Sequence, residues 1–175
     1  TPTHHTSSAA SDVYKRQSQG YKVSTYIMDG PLKNLLVIDL TRVLVGPYCT
    51  MILSDLGARV IKIEAPEIGD DSRKFGPFVK DYSAYFMSLN RGKESIALNL
   101  KNMDDKKIFE KILAKADILV ENFKPGTLEK WGYGWKDVSK KYPKLIYASA
   151  SGFGQTGPLK DCLLYTSDAA DDVYC

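Results

Sequence analysis

The feature that most constrains this chain is a series of short apolar runs, each followed by a turn. They are Leu35–Leu40 (LLVIDL), Arg59–Glu64 (RVIKIE), Asp117–Glu121 (DILVE) and Leu145–Ala148 (LIYA), with a weaker run at Ser95–Leu98. The first is apolar at nearly every position, as a strand covered on both faces of a parallel sheet must be. Helical patterns lie between the runs. Tyr48, Met51, Ile52 and Leu56 recur at helical spacing, and Pro47 fits the first turn, where a missing N–H is harmless. Gly57 stands where a helix C-terminal glycine belongs. Strand, helix and strand within this span make a βαβ unit, which is expected to be right-handed. Residues 65–90, with Pro66, Gly69, Gly76 and Pro77, read as one long loop, and a loop of that length is more often functional than idle. A helix over about 104–115 carries Ile108, Ile112 and Leu113 on one face, and another over 126–141 breaks near Gly132 and Gly134. The alternation predicts an open, doubly wound, Rossmann-like α/β domain with a mostly parallel sheet.

The two ends do not continue this pattern. Ser7–Gln17 and Cys162–Asp172 back-translate as opposite strands of one transposon-type sequencing adapter, so residues 1–17 and 162–175 are read as non-native tails. The native domain is then 18–161, with Met28 as a candidate start. Within it Cys49 is the only cysteine and there is no histidine. That removes a disulfide framework, a Cys/His zinc site and a histidine-based triad from this stretch, and no metal is expected. Setting aside Lys15 and Arg16 from 24 basic residues, and Asp12, Asp168, Asp171 and Asp172 from 21 acidic ones, leaves 22 against 17. A surplus this small and dispersed does not suit nucleic acid, but it suits a polyanionic small molecule. No apolar run reaches the ~18 residues of a membrane span. The expectation is a soluble intracellular protein, cytoplasmic in a bacterium or in the mitochondrial matrix of a eukaryote.

Ligands of such sheets sit beyond the carboxyl ends of the strands. Here those ends are Thr41–Pro47, Glu64–Asp71, Asn122–Gly126 and Ser149–Gly157, all rich in glycine, proline and hydrogen-bonding side chains. Glu64 ends the second strand, where an acid can bind a ribose or serve the structure, and both readings stand. A dinucleotide-dependent oxidoreductase would use the same βαβ unit, yet the first turn lacks G-x-G-x-x-G. A nonenzymatic nucleotide-binding module is the other alternative.

Five blocks in order carry a resemblance: DLTRVLVGPYCTMILSDLGARVIKIEAP, GDDSRKFGP, YFMSLNRGKESIALNL, ADILVENFKPGTLEKWG and SGFGQTGP. Together they resemble the class III CoA-transferases of the CaiB/BaiF type over essentially all of Gly30–Asp161. The DLTRVL and GDDSR spellings look most like the succinate–hydroxymethylglutarate branch. The resemblance implies coenzyme A or an acyl-CoA as substrate, carboxylic acids as the other partners, and an interlocked homodimer. It implies a CoA-receiving loop at Val43, Leu44 and Gly46, with a helix N-terminus offering its dipole to an anion. Leu98 and Lys101 match the segment flanking the nucleotide, Asn122, Phe123 and Lys124 match the ENF loop, and Lys130 matches a basic position beyond it. Read alone, Lys101 and Lys130 are ordinary surface lysines, and Phe123 is equally a core residue.

Two departures matter. Ala65 stands where many relatives carry a phosphate-reaching arginine, so either Lys62, Arg73 or Lys74 substitutes or phosphate binding is weaker; Glu94 replaces a usually basic residue. The carboxylate that the resemblance assigns as nucleophile, forming an aspartyl-CoA thioester, is expected beyond this stretch, so no residue here is assigned to catalysis. An α-methylacyl-CoA racemase, which moves an α-proton by an acid–base pair, is the alternative within the family.

Overall fold

A computed structural model describes residues 30–160. Both expected tails and Met28 lie outside the described residues. Five strands form one parallel sheet: β1 (Leu36–Asp39), β2 (Arg59–Glu64), β5 (Glu94–Ala97), β6 (Ile118–Glu121) and β7 (Ile146–Ser149). Their order is β5-β2-β1-β6-β7. A separate antiparallel hairpin joins β3 (Phe78–Val79) to β4 (Tyr82–Ser83). The helices are α1 (Val45–Asp55), α2 (Ala84–Leu89), α3 (Met103–Leu113), α4 (Thr127–Trp131) and α5 (Trp135–Lys141).

Side-chain alternation along the strands sends their apolar residues into two cores, one on each face of the sheet. Val37 of β1, Val60 of β2 and Val120 of β6 pack with Leu53 of α1 and with Ala58, which directly precedes β2. Ile38, Ile63 and Leu119 point the other way, into the larger core with Phe109 and Leu113 of α3, Leu128 of α4 and Val138 of α5. The doubly wound α/β expectation is thus met. Each strand falls within a residue or two of its apolar run. Gly57 takes φ 98° immediately after α1, as the C-terminal glycine reading requires. Asn102 caps α3 by accepting from the Asp104 amide at 2.8 Å, and Asp104 and Asp105 in the first turn complement the helix dipole. The break near Gly132 and Gly134 separates α4 from α5.

Two expectations are corrected. Residues 65–90 are not one loop: they hold a 3₁₀ turn at Asp71–Lys74, the hairpin and α2, whose cap is Ser83 accepting from the Phe86 amide. Elements of two to six residues are too short to show a period. The stripe of α1 is also turned. Met51 is buried, but Tyr48, Ile52 and Leu56 are 52%, 40% and 41% exposed. The buried face is instead Gly46, Pro47, Thr50, Met51 and Ser54. The strand beneath presents a carboxylate, Asp39, and a helix that must hydrogen-bond it at close range turns small and hydroxylated residues inward.

Gly46 is what allows that approach. A Cβ there would lie 2.2 Å from the Thr41 Cβ. Gly46→Ala is therefore expected to destabilise the domain by about 1–3 kcal/mol through overpacking. Urea unfolding of the full-length chain and its variant measures this, and an unchanged midpoint would contradict it.

Candidate functional site

In this strand order β1 and β6 are neighbours, but the chain leaves β1 towards β2 on one side and β6 towards β7 on the other. Such a switch point opens a crevice at the strand carboxyl ends. The two loops that diverge there are stapled by one side chain. Asn122 accepts from the Arg42 amide at 2.8 Å, and its own Nδ2 donates to the Arg42 carbonyl at 2.9 Å. Beside this staple lies a cleft of ≈ 500 Å³. Leu40, Ile63, Leu98, Leu100, Phe123 and Trp131 give it apolar walls, and Arg42 and Lys101 line it as well. Phe123 meets Trp131 edge to face at 5.3 Å, and the Arg42 guanidinium sits 5.4 Å from the Phe123 ring centre. The guanidinium is only loosely held elsewhere, 3.7 Å from Asp71. Glu64, Glu67 and Asp70 line the cleft too, the first and last of them paired with Arg73 and Lys62; apolar walls with Arg42 and Lys101 beside them suit a flat base carrying anionic groups.

Under the α1 side of the cleft runs a chain of buried charges. Lys62, 1% exposed, lies 2.9 Å from Asp70 Oδ2 and 4.0 Å from Asp39 Oδ2, and donates to the Thr41 carbonyl at 2.8 Å. Asp39 also takes Lys93 at 3.0 Å and the Thr50 hydroxyl at 2.6 Å. Burial by itself would raise the pKa of Asp39, but Lys62 and Lys93 outweigh it and hold the carboxyl below its ordinary value. Asp70 is likewise held down against burial, by Lys62 and Ser72. Burial pushes the Lys93 ammonium down despite Asp39. Glu64 is closed off. Arg73 donates to both of its oxygens at 2.7 and 2.6 Å, Ser95 adds 2.6 Å and the Asp70 amide 3.0 Å. Burial opposes ionisation there, yet these donors keep Glu64 below its ordinary range.

The residues singled out by sequence divide on these grounds. Leu98, Lys101 and Phe123 line the cleft. Asn122 does not line it and is spent on the staple. Val43 is half-buried with φ 66°, in a region where a β-branched residue is an outlier, and its amide donates to Asp70 Oδ1 at 3.1 Å. Leu44 is the residue before α1, accepting from the Tyr48 amide. Gly46 is buried against Thr41, and close helix packing alone already requires its lack of a side chain. Lys124 and Lys130 are exposed and lie outside the cleft lining. Glu64 has its structural role, since the network occupies both oxygens. Of the three cations expected to replace the arginine missing at Ala65, Lys62 is sealed in the ion network and Arg73 is bound to Glu64. Arg42 and Trp131 were not singled out. Arg42 sits inside the DLTRVL block and Trp131 directly follows Lys130, so adjacency to chosen residues was the available signal.

An open parallel sheet with helices on both faces and a cleft at its switch point defines a domain of the doubly wound α/β class. Comparison with known proteins narrows the class. Residues 32–168 match CoA-transferase family III. The acetyl-CoA:oxalate CoA-transferase of Acetobacter aceti is 59% identical over 130 residues, covering 74% of this chain and 33% of that protein. The human succinyl-CoA:glutarate CoA-transferase is 47% identical over 141 residues, covering 80% and 32%. A CaiB/BaiF family protein from Brucella suis superposes with a TM-score of 0.72 at 42% identity, over 77% of this chain and 36% of that one. This chain belongs to CoA-transferase family III, a family of enzymes. It spans about a third of the length of the relatives it matches.

Among the described residues no group of side chains is placed to hold a metal ion, and no helix is long and apolar enough to cross a membrane.

The ion network sets an acid limit. Asp39, Asp70 and Glu64 all have folded-state pKa values below their unfolded ones. Their contribution is therefore complete above the ordinary carboxylate range, roughly pH 4–4.5, and is lost as pH falls through the depressed native values. Glu121 has the opposite sign, since burial raises it; its contribution is lost as pH rises through that raised value. The urea midpoint is expected to fall steeply below about pH 4 because three groups outweigh one. A midpoint flat from neutrality to pH 3 would contradict this.

Proposed function

We propose that the protein carrying this segment transfers CoA between carboxylic acids, with small dicarboxylates as donor and acceptor, and that the segment binds the nucleotide end of CoA. The observation that carries this reading is the cleft at the switch point, where an apolar slot between Leu98, Phe123 and Trp131 opens beside Arg42 and Lys101. An adenine fits between the apolar walls, and a phosphate fits beside the cations, where charge-assisted hydrogen bonds are strong. The relatives named for oxalate and glutarate transfer support dicarboxylates as the acids.

The described acids support a division of labour. Asp39 and Asp70 are 0% and 2% exposed and locked to lysines, so neither can reach a thioester. The nucleophile of this reading is an aspartate outside the described residues. Its carboxylate attacks the acyl-CoA carbonyl, forming a mixed anhydride and expelling CoA thiolate. The thiolate then attacks the enzyme's own carbonyl, releasing the donor acid and leaving an aspartyl-CoA thioester. The acceptor carboxylate repeats the two steps in reverse. The homodimer implied by the resemblance belongs to the same reading.

Two measurements on the full-length chain test it. CoA is expected to bind more tightly than dephospho-CoA by calorimetry, and Lys101→Ala to weaken CoA by about tenfold, the worth of one charge-assisted hydrogen bond. Equal affinity for the two ligands would refute the phosphate assignment, and preference for NAD would favour an oxidoreductase. Incubation with succinyl-CoA or acetyl-CoA and a panel of dicarboxylates, followed by mass spectrometry, is expected to show CoA moving from the donor to the acceptor acid. Epimerisation of a 2-methylacyl-CoA instead would establish the racemase.

A further inference from the structure

The loop between β1 and α1 holds the least comfortable backbone of the site. Val43 is β-branched, yet its φ is 66°; such a residue stays there only when its surroundings hold it. The hold is visible, and it comes from a distant part of the chain. The Val43 amide donates to Asp70 Oδ1 at 3.1 Å. The same oxygen accepts from the Ser72 amide at 2.9 Å and the Ser72 hydroxyl at 2.7 Å, which fixes the carboxylate from its own side. Lys62 fixes it from the other side, at 2.9 Å from Oδ2, and also donates to the Thr41 carbonyl at 2.8 Å. One lysine thus ties the carboxylate to the loop at two points flanking Arg42. Arg42, like Thr41 before it, lines the cleft, and the φ of Val43 sets where the chain on either side of it points.

We propose that Asp70, clamped by Lys62, is a positioning residue that holds the β1–α1 loop in the conformation that receives the CoA nucleotide. This rests on the CoA-binding reading above and deepens it. Asp70 itself borders the cleft, but its carboxylate is turned to Val43, Ser72 and Lys62, and in this proposal it acts through the backbone of Val43 and the placement of Arg42. If the bond to Asp70 is removed, Val43 relaxes towards negative φ and the loop carries Arg42 away from the cleft. Glycine at position 43 accepts positive φ without steric cost, so it can return to the receiving conformation when the hold is gone.

The experiment uses the full-length chain. Asp70→Ala alone takes from buried Lys62 its nearer carboxylate, leaving Asp39 at 4.0 Å, and is open to misfolding. The double variant Lys62→Met/Asp70→Ala removes both charges together, which proteins tolerate far better than removing one. Folding is verified by circular dichroism and thermal unfolding. The double variant is expected to bind CoA about tenfold more weakly, the size of one released backbone strain expressed as affinity. KM for the acyl-CoA should rise while kcat at saturation stays near that of the parent. Hydrogen exchange at residues 41–44 should speed up while β1 amides stay protected. Adding Val43→Gly is expected to restore most of the affinity, although it stabilises nothing in the fold. A folded double variant with parental CoA affinity overturns the proposal, and so does failure of Val43→Gly to recover binding. Absence of CoA binding by the unsubstituted chain is a different result, and overturns the nucleotide reading itself together with the role assigned to Asp70 within it.

Discussion

The buried pairing of Lys62 with Asp39 and Asp70 is the interaction on which the arrangement of this domain depends. Two adjacent parallel strands, β1 and β2, each place a charged side chain on the α1 face, Asp39 opposite Lys62 in the register. Charges so deep are costly unless every partner is present. The structure satisfies Asp39 from three directions, with Lys62, Lys93 and the hydroxyls of Thr41 and Thr50. That requirement brings α1 close, which selects Gly46 and Thr50 for its inner face. It recruits Lys93 from the turn before β5, and it draws Asp70 in from the loop after β2.

The same chain of charges links fold to site. The loop after β1 is bonded to Lys62 through Thr41 and to Asp70 through Val43, while Asn122 of the β6 loop grips Arg42 between them. Three separate parts of the sequence therefore fix three consecutive loop residues, Thr41, Arg42 and Val43. A cleft whose wall is held this way is preorganised, so little ordering remains to oppose ligand binding. The apolar half of the cleft is set by the other face of the sheet. Leu98 and Leu100 belong to its main core, and Phe123 and Trp131 pack against it.

Arg73 and Glu64 illustrate how a cation near a ligand site can be unavailable to the ligand. Their bidentate pair is part-buried, and the Arg73 guanidinium lies 3.8 Å from the Phe86 ring centre. Such a planar, stacked, two-point arrangement is one that lysine would not reproduce. It orders the 3₁₀ turn that carries Ser72, which in turn orients Asp70. Arg42, by contrast, lines the cleft with only a 3.7 Å contact to Asp71 and a 5.4 Å approach to the Phe123 ring.

The sequence alone determined the parallel α/β class, the placement of five strands, the helix stops at Gly57 and Gly132, and the family, because these depend on local apolar runs, local turn chemistry and contiguous motifs. It also pointed to the strand ends where the cleft lies, with Leu98, Lys101 and Phe123 on its wall. Only the tertiary structure decided which face of α1 is buried, that Gly46 packs against Thr41, that Asn122 staples two loops, that Glu64 and Arg73 pair with each other, and that Lys62 pairs with Asp70 and Asp39. Those outcomes depend on pairs separated by up to 80 positions, such as Asn122 with Arg42. A carboxylate or a lysine reads the same in a sequence whether it faces a ligand or a buried partner. Its role is fixed only when the sheet register brings the opposite charge within reach.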